Sequence, residues 1–515
     1  MRYKFFRTGL FTVMLFLPIC LFAQSKVINI ISLGAKGDGV TKNTVVIQKA
    51  IDQVSTAGGG QVIIPFGRFV TGVIVIKSNV DLHFEKGAYL LASTQRIDYG
   101  KGPASALIVA DKAEHIALTG YGIIDGRGEE VVKDLQVLLE AGILQDKEWK
   151  TVNPWHQVRS AEINRPMLIN FENCNDVQVR NIELKNGSCW VQRYENCRNM
   201  VFDGIKVESN TYWNNDGIDL VDCENAVITN SFFNADDDGI CLKSEKRNHC
   251  CENITVENCI VRSSANAVKL GTASWGGFKN ISIRNIKVYD TFRSAVAIES
   301  VDGGILENID VSNIKAVNTG NAFVIRLGHR NKDEVISQVR NVSIRNMTVE
   351  VPKEKPDKGY PMEGPLVKAP HNIFPSSVTG LPDHSVQNVK LENIEIVYPG
   401  GGDKNVACIA IDSLAKVPEN PAGYPEFSMF GELPAWAFYS RHVEGLQMSN
   451  VRVSYKEEDF RPAFVFDDVK QLQLDNVNVM SAKNIPVIVL NNVNGFDART
   501  VQLPFDNTTG IVTLK

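Results

Sequence analysis

Apolar and polar residues alternate with a period of two along most of this chain, and the alternation begins abruptly. Before residue 60, Ile47, Ile51 and Val54 recur at helical spacing, which predicts a short amphipathic helix from about Thr44 to Ser55, capped by Asn43 and ended by Gly58-Gly59-Gly60. From Gln61 onward the pattern is that of strands: Val62–Ile64, Val73–Ile76, then Val80, Leu82 and Phe84. One phrase then recurs, with apolar residues at every second position closing on asparagine. It stands at Val177–Ile182, Val227–Asn230, Ile254–Asn258, Ile281–Ile286, Ile309–Ile314, Val342–Asn346, Val389–Ile394, Leu446–Val451 and Leu472–Val477. Asn230, Asn258, Asn285 and Asn313 are 28, 27 and 28 residues apart.

A repeat of this length, built of short strands with no helix between them, predicts an all-β solenoid, a parallel β-helix in which each coil buries its inner face against its neighbours. The early helix would cover the open end of the first coil, which otherwise exposes apolar side chains and unpaired strand edges. The recurrent asparagines have a structural reading, because stacked amides bond from coil to coil and asparagine tolerates a left-handed turn. Three longer gaps, around 121 to 165, 351 to 387 and 399 to 445, predict loops leaving the solenoid. The third carries Phe427, Phe430, Trp436, Phe438 and Tyr439, which pack the loop onto the barrel or offer a face to a sugar ring. No Gly/Ser or Pro-rich linker divides the chain, so residues 24 to 515 form one domain.

Two segments break the alternation in the same way. Asn214-Asn215-Asp216-Gly217-Ile218-Asp219-Leu220 and Asp236-Asp237-Asp238-Gly239-Ile240-Cys241-Leu242 lie one coil apart. With Ile218, Leu220, Ile240 and Leu242 inside, Asp219, Cys241 and Lys243 face outward. Strict alternation would bury Asp216 and Asp238, so Gly217 and Gly239 are read as the bulges that release them. The column continues as Asn266 and Ser294, reading Asp, Asp, Asn, Ser. Lys269 is placed one coil above Lys243, and Arg326 two coils further, as a basic column or a solvated face. Carboxylates this crowded do not all ionise, and a protonated acid beside carboxylates that hold a water is what glycoside hydrolysis uses. A solvated turn or an oxygen-ligand calcium site are the plainer readings of Asp-Asp-Asp-Gly alone, and the match of two coils in register weighs against them.

Of the 515 residues, Met1 to Ala23 place Arg2, Lys4 and Arg7 ahead of an apolar run, which predicts a signal peptide cleaved after Ala23 and export to the periplasm or outside the cell. Leu17-Pro18-Ile19 before Cys20 lacks the small residues of a lipid-attachment site. No later run is long enough to span a membrane. The net charge is −5, and losing Arg2, Lys4 and Arg7 takes it to −8, which argues against a nucleic-acid partner. Nine cysteines remain after cleavage, an odd number, and Cys174, Cys197, Cys223 and Cys259 fall at solenoid corners as small core residues. Cys250-Cys251 has no second pair at metal-ligand spacing, so no metal and no cofactor is expected. His249, His329 and His371 take structural or surface roles by default, and among Trp190, Trp213 and Trp275 one is expected to stack on a sugar.

These acidic motifs, with Gly37-Asp38-Gly39 and Gly58–Pro65 ahead of them, resemble the polygalacturonase-type glycoside hydrolases of family 28. The likeness covers almost all of the mature chain. It implies a right-handed, single-stranded parallel β-helix in which Asp237 is the acid and Asp216 and Asp238 activate water in one inverting displacement. The family's Gly-His-Gly histidine would fall on Asn266, and the arginine and lysine that meet a uronate would fall on Ala297 and Glu299. A glutamate there would repel a carboxylate. The expected substrate is therefore a polysaccharide or oligosaccharide of the plant wall whose sugar at the cleavage point is neutral or differently linked, as in rhamnogalacturonan, unless Lys243, Lys269, Arg293, Arg326 or Arg330 replace the missing cations. Asp219, Lys243, Asn266, Lys269, Glu299 and Arg326 are the expected substrate-binding residues. The rival readings are a lyase or uronate epimerase on the same fold, and a non-catalytic carbohydrate-binding solenoid.

Overall fold

The computed structural model describes residues 25–514 except 154–156, 366–373, 403, 405–408, 481–484 and 503–509. The expected signal peptide, Cys20 and His371 lie outside the described residues. The described strands join one sheet whose ladders run parallel, coil upon coil, as a right-handed parallel β-helix. The register shows why alternation was so regular. Ile218 pairs with Ile240, Ile240 with Val268, Val268 with Val296 and Val296 with Phe323, all buried in one core that runs along the solenoid.

The asparagine phrase does the structural work expected of it. Asn285, Asn313, Asn346, Asn393, Asn450 and Asn476 each donate an amide hydrogen bond of 2.8–3.1 Å to the preceding coil's asparagine, and all sit at φ between 53° and 57°. A second ladder, not anticipated, runs through Asn199, Asn225, Asn253, Asn280, Asn308, Asn341 and Asn388 at another corner. Cys174, Cys197, Cys223 and Cys259 are buried at coil corners, and the described cysteines, Cys250 and Cys251 included, are free.

The early helix spans Thr44–Thr56 and buries Ile47, Ala50, Ile51 and Val54 against the first strands. Asn43 does not cap it. Its amide instead bonds Lys36 and the Thr41 carbonyl and so fixes the preceding loop. The three long gaps leave the barrel as expected, but the first contains a helix, Gly128–Glu140, whose Val131, Val132, Leu135 and Leu139 are buried. The third insertion is held by its own aromatics. Phe427, Phe430, Trp436, Phe438 and Tyr439 are all buried, so packing rather than sugar stacking is their role.

Candidate active site

The acidic column forms as the register requires. Gly217 N–H donates to the Asp238 carbonyl, Gly239 N–H to that of Asn266 and Ala267 N–H to that of Ser294, which stacks residues 216, 238, 266 and 294 on successive coils. The glycines act through space, not through a left-handed turn. A Cβ on Gly217 would lie 2.4 Å from the Gly239 carbonyl oxygen, and one on Gly239 would lie 2.3 Å from Val261, so only glycine lets the coils close here.

The column is buried rather than displayed on the surface, and each carboxylate has a cation. Lys243 Nζ lies 3.0 Å from Asp216 Oδ2, pairs with Asp219 as well, and sits 4.1 Å from the centre of the Trp190 ring. Lys269 Nζ lies 3.1 Å from Asp238 Oδ2 and 3.0 Å from the Tyr424 hydroxyl. Asp238 Oδ1 accepts from the backbone N–H and the amide of Asn266, at 3.1 and 2.9 Å. Burial alone would raise Asp238, but Lys269, Lys243, Asn266 and Arg293 together pull its pKa down to about 2. Asp216 goes the other way, pushed well up by burial and by Asp219 against the pull of Lys243. Asp219 is raised to about 6 by burial, with Lys243 opposing. Two carboxyls around one ammonium thus hold a proton between them, and the coil above holds an ionised Asp238.

Asp237 differs from both. It is half-buried and opens to the cavity, with Oδ1 accepting from Asp238 N–H at 3.0 Å and Oδ2 from the Asn214 amide at 3.3 Å. Arg165, itself buried, donates to Asn214 Oδ1 at 2.6 Å, and Arg159 donates to the same oxygen, so the amide must turn its NH2 toward Asp237. Asp236 lines the cavity too, with its carboxyl pushed well up by burial and by Asp237.

All three insertions wall this cavity of about 330 Å³: Arg159 and Glu162 from the first, Glu363 and Gly364 from the second, Tyr424 from the third. Several expected substrate contacts are corrected by this geometry. Asp219 and Glu299 are fully buried, and Asn266 is spent on Asp238, so none of these three faces a ligand. Burial raises the Glu299 pKa to about 8 against the pull of Lys269, so it is neutral near pH 7 and repels nothing. Arg326 is buried and donates to the carbonyls of Gly380, Glu419 and Asn420, fastening the third insertion. No basic column exists as expected, because Lys269 pairs in register with Cys241 and Arg326 with Glu299. Lys243 and Lys269 do line the cavity, as does Trp190, whereas Trp213, Trp275, His249 and His329 do not. Arg159, Glu162, Asp236 and Tyr424 were missed. Only Asp236, adjoining Asp237, carried a sequence signal; the others lie in insertions without repeat register. Asp216, Asp238 and Cys241 bring one ligand atom each within 4.8 Å of one another, but the two ammoniums already supply cations there, Lys243 Nζ also lying 3.2 Å from Cys241 Sγ.

The sequence profile of glycosyl hydrolases family 28 matches residues 56–355, which span the whole acidic column. The chain belongs to that family. It is 27% identical over 331 residues to the exo-poly-alpha-D-galacturonosidase of Dickeya chrysanthemi, covering 55% of this chain and 54% of that one. It is 24% identical over 347 residues to a probable polygalacturonase of Vitis vinifera, covering 63% and 61%. The chain therefore spans about half to three-fifths of the length of these relatives. The fold is similar to that of a solved exopolygalacturonase from Thermotoga maritima, with a TM-score of 0.58 at 24% identity over 73% of this chain and 88% of the other. In this chain Asn266 is bonded to Asp238, and Ala297 and Glu299 are buried.

Proposed function

We propose that this chain is an exported glycoside hydrolase that cleaves a pectic or related plant-wall polysaccharide in a single inverting displacement. The observation that carries the reading is the unequal treatment of three neighbouring aspartates on the floor of one cavity. Asp237, open to the cavity, protonates the leaving oxygen. Asp238, held ionised by Lys269, takes the proton of the attacking water, and Asp216, sharing a proton with Asp219 around Lys243, holds that water in place. Ala297 and Glu299 supply no cation, which favours a backbone that is not plain homogalacturonan, such as one in which a neutral sugar alternates with a uronate. Three insertions around the cavity favour attack at a chain end over an open cleft. Family membership favours hydrolysis over lyase or epimerase chemistry, and the Met1–Ala23 leader supports export.

The test is a panel of purified pectic fragments assayed for new reducing ends and for the ultraviolet absorbance of unsaturated sugars. The expected result is reducing ends without absorbance, lost in Asp237→Asn. A rise in absorbance would make the chain a lyase.

A further inference from the structure

Five cationic side chains line the cavity, and four of them are committed. Lys243 serves Asp216 and Asp219, Lys269 serves Asp238, Arg159 donates to Asn214, and Arg330 forks onto Asp302 at 2.8 and 2.7 Å. Arg293 is the fifth. It is only 6% exposed, yet among the described residues its guanidinium makes no hydrogen bond, and its Nε is buried without a partner. Its backbone immediately precedes Ser294, so the side chain rises beside the acidic column two coils above Asp238. The Tyr424 ring centre lies 5.8 Å from its Cζ, and Glu426, which faces it, is engaged by the Ser428 hydroxyl.

A desolvated guanidinium with unfilled donors is costly, and a carboxylate meeting it with two parallel hydrogen bonds is the group that best satisfies it. The position is not one of the two where the family resemblance puts its uronate-binding cations. We propose that Arg293 is the receptor for a sugar carboxylate in this cavity, so that the glycan cut here presents a uronate between Tyr424 and the reacting aspartates, and that Arg293 selects for it. This rests on the hydrolase reading above and names what that site recognises. It also accounts for Ala297 and Glu299 without requiring a substrate wholly lacking acid groups.

The test uses rhamnogalacturonan oligosaccharides in their acidic form and with the carboxyls reduced to alcohols. Binding is measured by calorimetry in the Asp237→Asn background and turnover in the wild-type chain. The acidic form should bind about tenfold to a hundredfold more tightly than the reduced form. Arg293→Gln should bring the two affinities together, and Arg293→Lys should keep part of the difference. Glu426→Gln, which removes the competing acid without touching the guanidinium, should tighten the acidic form alone. Equal affinity for both forms, or a preference that survives Arg293→Gln unchanged, overturns the inference. If the wild-type chain cleaves reduced oligosaccharides as fast as acidic ones, the hydrolase reading stands and the inference falls; if it neither binds nor cleaves any of them, both fall.

Discussion

Two stacked polar columns run along this solenoid, and they use the same coil spacing for opposite ends. The asparagine ladder through Asn285, Asn313 and Asn346 is uniform, neutral and exposed, each amide bonding the next. The column of Asp216, Asp238, Asn266 and Ser294 is mixed, charged and buried, and it needs Lys243 and Lys269 to be tolerable at all. Repetition of one residue at one corner makes scaffold. A change of residue from coil to coil, with a dedicated counter-ion at each carboxylate, makes a site whose members have different protonation states.

That contrast is broken most severely by Asp237→Asn, which should lower kcat by about 10²–10⁴-fold with little change in thermal stability, since the side chain is half-buried and only hydrogen-bonded locally. Reducing-end assays and calorimetry on the same preparation check both halves. Next comes Lys269→Met, which strands Asp238 in the core. It should cost about 3–5 kcal/mol in urea unfolding. In the wild type the Asp238 pKa is depressed to about 2, so the stability it contributes is present above its ordinary value and lost as pH falls through about 2. Without Lys269 that pKa rises, and the acid limb of the rate profile should move to higher pH.

A smaller effect is expected in the ladder. Asn313 sits at φ 56° and bonds Asn285 at 3.0 Å, so Asn313→Ala should cost about 1–2 kcal/mol with the rate unchanged. Asn313→Gly should recover the part due to backbone strain, and equal loss in both variants would place the whole effect in the hydrogen bond. The last effect is a slope in pH rather than a fixed cost. The Glu299 pKa is raised to about 8, so the folded chain keeps a proton that the unfolded chain releases, and stability falls as pH rises from the ordinary glutamate range to about 8. Glu299→Gln should remove that contribution, worth at most about 1.4 kcal/mol per pH unit. Denaturation midpoints at pH 5 and pH 8 for both chains check it.

The regular part of this molecule was legible because a coil's inner face admits only apolar side chains and its corners favour a left-handed asparagine. Ile218, Ile240, Val268 and Val296 set the phase, and that phase stacks Asp216 over Asp238. What was not legible follows from the same physics. Alternation tells which side of a strand a residue leaves, not what lies over it, so Asp219 and Lys243 were placed outward without the covering that buries them. Insertions carry no register, so Arg159, Arg165 and Tyr424 gave no sign that they return to the column. The helix Gly128–Glu140 was missed for the same reason, its apolar stripe lying inside a gap in the repeat. Glu299 was misread because charge was assigned from residue type, whereas burial sets its protonation.

The most direct measurement of the central claim is the configuration of the first-formed product, followed by proton NMR during early turnover of an α-linked pectic oligosaccharide. The proposed inverting displacement, with Asp237 as acid and Asp216 and Asp238 activating water, predicts that the β anomer appears first and the α anomer only later by mutarotation. Appearance of the α anomer first would mean a covalent intermediate and would contradict the division of labour among the three aspartates.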